Sequence, residues 1–445
     1  MALFTLIACS RMTVTVHRSP VPRADRRQSH PARTASRTPA GMRTSADPHV
    51  QESAHRRTRT LRTRATAAVA AAVTGALVLS GCAMEAKTVG GLPDPLVLTT
   101  YGTSTGSYAD LAAVADRVSV DTGARVRIIT SDTSVGRLAA LRSGAAQVGR
   151  LGDEYIFGFE GVNEFANQDW GPQDIRVAWV PLSPHGVMTR TADGLDEMSD
   201  LRGKRIPHYT ANPSANAKVQ ALLAYGGLTP DDVQWVNIGY GEQADALQQG
   251  QVDMIYGAVY GGSFFELASQ VSVQWVDLDP DDAEAVDRLQ TVVPAAQVGS
   301  FDRAPAQEEG DSDHGIYYSV AIAAYDEIED ETIYNLIDSM VDTYPAYKDS
   351  TISLPRWDPE EVVVEPQETP FHDGTVQWLK DHDRWTDEAQ EKQDELTERG
   401  ERLHEEWDRF MESEPEDEDT YRLWLEWKRD NGLAKESEEI TSGFF

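Results

Sequence analysis

From residue 96 onward the apolar positions alternate between two periods. Leu96 to Thr100 is a short apolar run with β character, and Tyr108, Leu111, Ala112, Ala115 and Val118 recur at helical spacing. Arg125 to Thr130 alternates as a strand. Val135, Leu138 and Leu141 predict a helix that stops at Ser143-Gly144. Further strands are expected at 175–182, 204–206, 233–238, 252–256 and 317–324, with helices at 212–225, 242–249 and 331–343. Strands that alternate with helices imply an α/β fold with a mostly parallel sheet covered on both faces. No internal repeat is evident.

The texture changes after Trp378. Trp385, Ala389, Leu396, Leu403, Trp407 and Phe410 lie three, four or seven residues apart among many charges, which predicts an amphipathic helix. Its stripe is expected to fold back on the main body, with a docking surface for a membrane partner as the alternative. The acidic run 412–419 is broken by Pro415 and precedes a last short helix carrying Tyr421, Trp424 and Trp427.

A length of 445 residues calls for more than one domain, and 40% hydrophobic with 25% charged residues is ordinary globular composition. The balance of 40 basic to 73 acidic residues, net −33, excludes a general nucleic-acid binder, which needs a basic face. Thirteen of the basic residues but only three acids (Asp25, Asp47 and Glu52) precede residue 82, so the remainder carries net −43. A basic leader therefore precedes a very acidic body.

Within that leader, Arg56, Arg57, Arg59, Arg62 and Arg64 precede an apolar stretch from Ala65 to Leu79. It is too short to span a bilayer but suits a signal-peptide core. It ends in Leu79-Ser80-Gly81-Cys82, which resembles a bacterial lipoprotein box. The resemblance implies that Cys82 becomes the lipidated first residue of the mature chain, held at the outer face of the cytoplasmic membrane. The other cysteine, Cys9, lies in the leader, so no disulfide is expected in the mature chain. Residues 1–41 are Arg-, Ser- and Pro-rich, and Met42 is a plausible start. Residues 1–81 are thus read as leader and signal peptide, and 82–95 as lipidated Cys and tether.

Three segments share one design of strand, hydroxyl- or amide-rich loop, and helix start. They are Thr103-Ser104-Thr105-Gly106-Ser107-Tyr108, Ser131-Asp132-Thr133-Ser134, and Tyr209 to Asn216. In parallel α/β sheets such loops gather at the carboxyl ends of the strands, where ligands bind. Each helix start offers free N–H groups and the positive end of a dipole, so the three together can hold a carboxylate without a buried Lys or Arg. Taken singly, each loop reads first as a helix cap.

The segment 96–378 resembles solute-binding proteins of the TAXI branch of TRAP transporters. The residues that carry this are Gly102 to Tyr108, the segment Val135 to Gly149, Leu201-Arg202-Gly203-Lys204-Arg205-Ile206, Ala246 to Asp253, and Pro370-Phe371-His372-Asp373-Gly374. The resemblance implies a two-lobed fold of the periplasmic-binding-protein type II class, with a small carboxylate or amino acid closed between the lobes. It also implies delivery to an ion-gradient-driven TRAP permease, with no catalysis, cofactor or metal in the binder. Lobe I is expected at 96–182 plus 292–378, lobe II at 183–291, and an acidic helical extension at 379–445. The candidate ligand residues in the three loops are Thr103, Ser104, Thr105, Gly106, Ser107, Tyr108, Thr133, Ser134, Asn212, Ser214 and Asn216, and Asp153, which fits a family Asp, would receive an ammonium group if the solute is an amino acid. Ser107, Tyr108 and Ala109 stand where the family carries a further Gly and a Tyr-Tyr-Pro run. Leu151 replaces a Gln near Asp153.

Three rival readings remain. Gly102-Thr103-Ser104-Thr105-Gly106 matches the G-x-S-x-G nucleophile elbow, which His314 or His372 would have to complete. A binder for an ATP-driven importer shares the fold type. An interaction lipoprotein with a degenerate site would use the acidic tail.

Overall fold

The computed structural model describes residues 87–416 and 419–441. The leader, Cys82 and the first residues of the tether lie outside the described residues. After a ribbon of β1 (Thr88–Val89) and β2 (Leu92–Pro93), two α/β lobes follow. Each has its own sheet and its own apolar core.

The sheet of lobe I has the order β4-β3-β5-β14-β6, from Val126–Thr130, Leu96–Thr100, Val148–Leu151, Ala321–Tyr325 and Ile175–Trp179. β3 pairs in parallel with β4 and β5, whereas β14 runs antiparallel to β5 and β6. Its helices are α1 (Gly106–Thr122), α2 (Ser134–Arg142), α3 (Glu154–Glu160), α8 (Asp330–Tyr347) and α9 (Asp373–Asp381). α1 buries Leu111, Ala115 and Val118 of the expected stripe together with Val114, leaves Tyr108 and Ala112 half-buried, and ends at Gly123, whose φ of 73° is the left-handed cap that glycine supplies freely.

Lobe II departs from the expected parallel sheet. Its five-stranded sheet is antiparallel, ordered β10-β7-β13-β12 with β11 on β7. The strands are Met254–Ala258, Leu182–Arg190, Ser312–Ser319, Gln297–Asp302 and Val273–Trp275. A separate parallel pair is formed by β8 (Arg205–Tyr209) and β9 (Gln234–Ile238). Helices α4 (Pro213–Tyr225), α5 (Gln243–Gln248), α6 (Gly262–Gln270) and α7 (Ala283–Val292) complete the lobe.

One boundary needs correction. The return to lobe I was expected at 292, but β12 and β13 pair into the sheet of lobe II. The chain crosses back at Val320, between β13 and β14, so the apolar run read as one strand at 317–324 is two strands in two sheets. The outward crossing lies between β6 and β7 at Val180-Pro181. The two crossings are neighbours: β13 pairs with β7 on one side of them and β14 with β6 on the other. A continuous apolar run satisfies two buried sheets as well as one, so its composition does not mark the switch.

The extension consists of α10 (Asp387–Met411), α11 (Thr420–Asp430) and α12 (Glu436–Thr441). Its stripe folds back on lobe I: Leu403, Trp407, Phe410, Trp424 and Leu433 pack with Phe159 and Ala166. Glu160 of α3 anchors it, meeting Arg399 at 2.8 Å, Lys428 at 2.9 Å and Lys435 at 2.8 Å. Burial alone would raise the Glu160 carboxyl, but Lys428, Lys435 and Arg399 hold it well below the usual range.

Glu164, under the same extension, has no such partner set. Burial, helped by Glu154, pushes its carboxyl up to about 7. A pKa raised by folding means that the folded state binds the proton more tightly. Its contribution to stability is therefore greatest at low pH and is lost as pH rises from about 4.5 through about 7. Glu164→Gln is expected to stabilise the chain by roughly 1–3 kcal/mol at pH 8 and by nothing measurable at pH 4.5. Urea unfolding at the two pH values checks this, and an equal effect at both would refute it.

Candidate functional site

The three expected loops do start helices at the edge where the lobes meet. Thr105 caps α1, its Oγ1 accepting from Tyr108 N at 3.2 Å, and Thr133 caps α2 by accepting from Gly136 N at 3.1 Å. Asn212 Oδ1 caps α4 by accepting from Ala215 N at 3.2 Å. A fourth loop of the same design escaped the sequence reading. Gly261-Gly262-Ser263 begins α6 directly after β10, and two glycines between a strand and an apolar helical stretch were the available signal.

Ser104, Thr105, Gly106 and Ser107 of lobe I face Asn212, Ser214, Gly261 and Ser263 of lobe II across a cleft. It holds about 580 Å³ of non-protein space, part of it continuous with solvent. The remaining wall is aromatic and amide: Tyr101, Tyr240, Tyr256, Tyr318, Phe264, His185 and Gln243. His185, near the expected lobe crossover, was weighed in the sequence between ligand contact and cap; sequence reasoning missed the other six, because which side chains face each other is set by the topology. Tyr209 and Gln243 brace the wall: Tyr209 Oη donates to Gln243 Oε1 at 2.7 Å, and Tyr256 N donates to the same oxygen at 3.1 Å.

The expected ligand residues divide accordingly. Ser104, Thr105, Gly106, Ser107, Asn212 and Ser214 line the cleft, whereas Thr103, Tyr108, Thr133, Ser134 and Asn216 do not. Thr103 is exposed beside the cleft, and Tyr108 lies further along α1. Ser134 is buried, with Oγ accepting from Arg137 Nη2 at 3.3 Å. Asn216 secures the end of β8: its Oδ1 accepts from Tyr209 N at 2.8 Å and its Nδ2 donates to Tyr209 O at 3.0 Å.

Asp153 is corrected most. Its carboxylate does not wait for a solute ammonium but pairs with Lys218 Nζ of α4, and that lysine is fully buried. Burial pushes the Asp153 carboxyl up and the Lys218 ammonium down, and each charge partly offsets the shift of the other. A second buried pair lies at this edge, where Arg137 donates to Glu154 Oε1 at 2.6 Å with both side chains wholly buried. The Arg137 guanidinium also lies 3.7 Å from the Tyr101 ring centroid. A lysine inside the Ala- and Leu-rich α4, which is buried along nearly its whole length, was the signal in the sequence.

The lobes are closed on one another. Ser134 N donates to Ala211 O at 3.1 Å, Asp153 N to Ser214 Oγ at 2.9 Å, and Ser263 N to Ser104 O at 3.4 Å. Asp153–Lys218 spans the same seam.

The hydrolase constellation does not assemble. Ser104 lines the cleft, but His314 pairs with Asp277 and His372 caps α9 by accepting from Gly374 N at 3.2 Å. The histidine in the cleft wall is His185, whose Nδ1 lies 3.1 Å from Ser183 O and whose ring burial pushes down to about 3. It stays neutral at physiological pH and is a poor general base. Among the described residues no group of three or more His, Cys, Asp or Glu could hold a metal ion. Among the same residues no helix is long and apolar enough to cross a membrane.

Comparison with known proteins adds the following. Residues 176–306, essentially lobe II with its first crossing, match the family model described as NMT1/THI5 like. A search of curated proteins gives no match. Among solved structures, the periplasmic aliphatic sulphonate binding protein SsuA from Escherichia coli is 15% identical, with 60% of this chain and 74% of that chain covered and a TM-score of 0.38. The ligand binding component of an ABC-type import system from Staphylococcus aureus is 8% identical, covering 66% and 93% with a TM-score of 0.40. The GluR0 ligand-binding core from Nostoc punctiforme, in complex with L-glutamate, is 13% identical, covering 58% and 100% with a TM-score of 0.35. Likeness at this level names neither ligand nor partner.

Proposed function

We propose that this chain is an extracytoplasmic solute-binding protein that closes two lobes over a small solute and presents the closed form to a membrane importer. The observation that carries this is the cleft itself. Helix starts from both lobes converge on it, and the chain passes between the two sheets behind it at two adjacent crossings. Opening and closing about Val180-Pro181 and Val320 is a population shift that needs no covalent chemistry. The exposed N–H groups and positive dipole ends suit an anionic group on the solute.

Delivery to an ion-gradient-driven TRAP permease follows from the motif resemblance, with an ATP-driven importer as the second reading. We read Cys82 as the lipid anchor that keeps the binder at the membrane. One set of measurements tests the whole. A thermal-shift screen with amino acids, dicarboxylates, keto acids and aryl acids is expected to yield at least one solute. At about 100 times its dissociation constant it adds roughly 2.7 kcal/mol, and the gain falls away in Ser107→Ala. X-ray scattering is expected to show a smaller radius of gyration with that solute. Uptake into native membrane vesicles then separates the importers, by dependence on an ion gradient or on ATP, and Cys82→Ser is expected to leave the vesicles. Absence of any hit together with an unchanged radius of gyration would defeat the binder reading.

A further inference from the structure

Resting on the reading of this cleft as the solute site, we propose that its ligand is a flat, ring-bearing anion without an ammonium group, such as an aryl carboxylate. Among the described residues, the cleft wall contains no Lys, Arg, Asp or Glu. Beside it Asp153 pairs with Lys218 and Glu154 Oε1 with Arg137, and none of these four lines the cavity. Asp132 is likewise absent from the cavity lining. A solute ammonium would therefore lose its water shell without meeting a carboxylate in the wall itself, which disfavours it as a buried charge.

An anionic head is served differently. The starts of α1, α4 and α6 all reach the cavity. Asn212 adds an independent sign of a ligand. It is 1% exposed, its Oδ1 is occupied by the helix cap, and its Nδ2 is a buried donor with no hydrogen-bond partner. Such orphan donors are uncommon, because leaving one unpaired costs about 1–3 kcal/mol. An acceptor oxygen on the solute would satisfy it.

The remainder of the wall supplies faces of rings. Tyr101 and Tyr240 stand 6.0 Å apart at 51°, and His185 is held between Tyr256 at 5.7 Å and Tyr318 at 4.5 Å. Phe264 closes the side formed by α6. Tilted and stacked rings at these separations gain from a planar insert in a way that a flexible aliphatic chain does not match. His185, neutral, adds no charge to disturb the choice.

The test is a calorimetric comparison of 3-phenylpropionate, L-phenylalanine, succinate and L-glutamate on the same protein. We expect 3-phenylpropionate to bind at least tenfold more tightly than each of the other three. Asn212→Asp keeps a good cap for α4 but removes the donor and faces the anion with a negative charge. It is expected to lose at least tenfold for 3-phenylpropionate while its unfolding midpoint stays near that of the parent. Tyr240→Leu is expected to lose a similar factor. Succinate, L-glutamate or L-phenylalanine binding as tightly as the aryl acid would overturn this inference and leave the binder reading standing. No binding by any of the four would overturn it too, with the wider screen left to judge the binder.

Discussion

Lys218→Met is expected to destabilise the chain by about 3–5 kcal/mol, because it strands the buried Asp153 carboxylate. Both side chains are nearly sealed from water, Lys218 wholly and Asp153 to 10% side-chain exposure. The pair also lies on the seam between the lobes, with Asp153 N on Ser214 Oγ at 2.9 Å. Without the ammonium, nothing opposes the burial that already raises the Asp153 carboxyl. A group whose pKa is raised by folding costs stability as pH rises. The deficit should therefore shrink toward pH 4 and grow toward pH 7. Asp153→Asn combined with Lys218→Met should recover most of the loss, since an uncharged pair of similar volume carries no desolvation debt. Equilibrium urea unfolding of the two single variants and the double variant closes the cycle. A single-variant cost below about 1 kcal/mol would mean that water reaches the pair, as at surface salt bridges.

Gly152→Val is expected to hold the lobes apart and to weaken solute binding by about 10–100-fold, or roughly 1.4–2.8 kcal/mol. A Cβ at this position would lie 2.4 Å from Tyr101 Oη, 2.6 Å from Ser214 Oγ and 3.0 Å from Glu154 Oε2. Gly152 is not among the glycines with positive φ, so the obstacle is space rather than backbone conformation. Ser214 belongs to lobe II, and the simplest relief is for that lobe to move away. Scattering should then show an enlarged radius of gyration even with solute present, while the unfolding midpoint changes little. Retained affinity in a compact variant would place the closing contact elsewhere.

Much of this fold could be read along the chain. The stripe of Leu111, Ala115 and Val118, the caps at Thr105, Thr133 and Asn212, and the fold-back of Trp407 and Phe410 all follow from short-range spacing. Of the candidate site, the first loop and Asn212-Pro213-Ser214 were legible, because a hydroxyl or amide before a helix start is a local signal. Asn216 and Ser134 carry the same residue types but turn to backbone or to Arg137. Nothing local separates a side chain that faces a cleft from one that faces its own strand. The aromatic wall of Tyr240, Tyr256 and Tyr318 comes from different strands and turns, so it exists only once they are assembled.

The sequence by itself determined where many of the helices and strands begin, that the chain is α/β, and that the body is strongly acidic. These follow from periodicity, capping chemistry and composition, which act over a few residues. Only the tertiary structure decided that the second sheet is antiparallel, that the chain returns at Val320, and that Asp153 is spent on Lys218 rather than on a solute. The reason is physical. Strand partners and buried charge pairs join residues far apart in the chain, here 65 positions for Asp153 and Lys218, and their energies depend on burial that no local window contains.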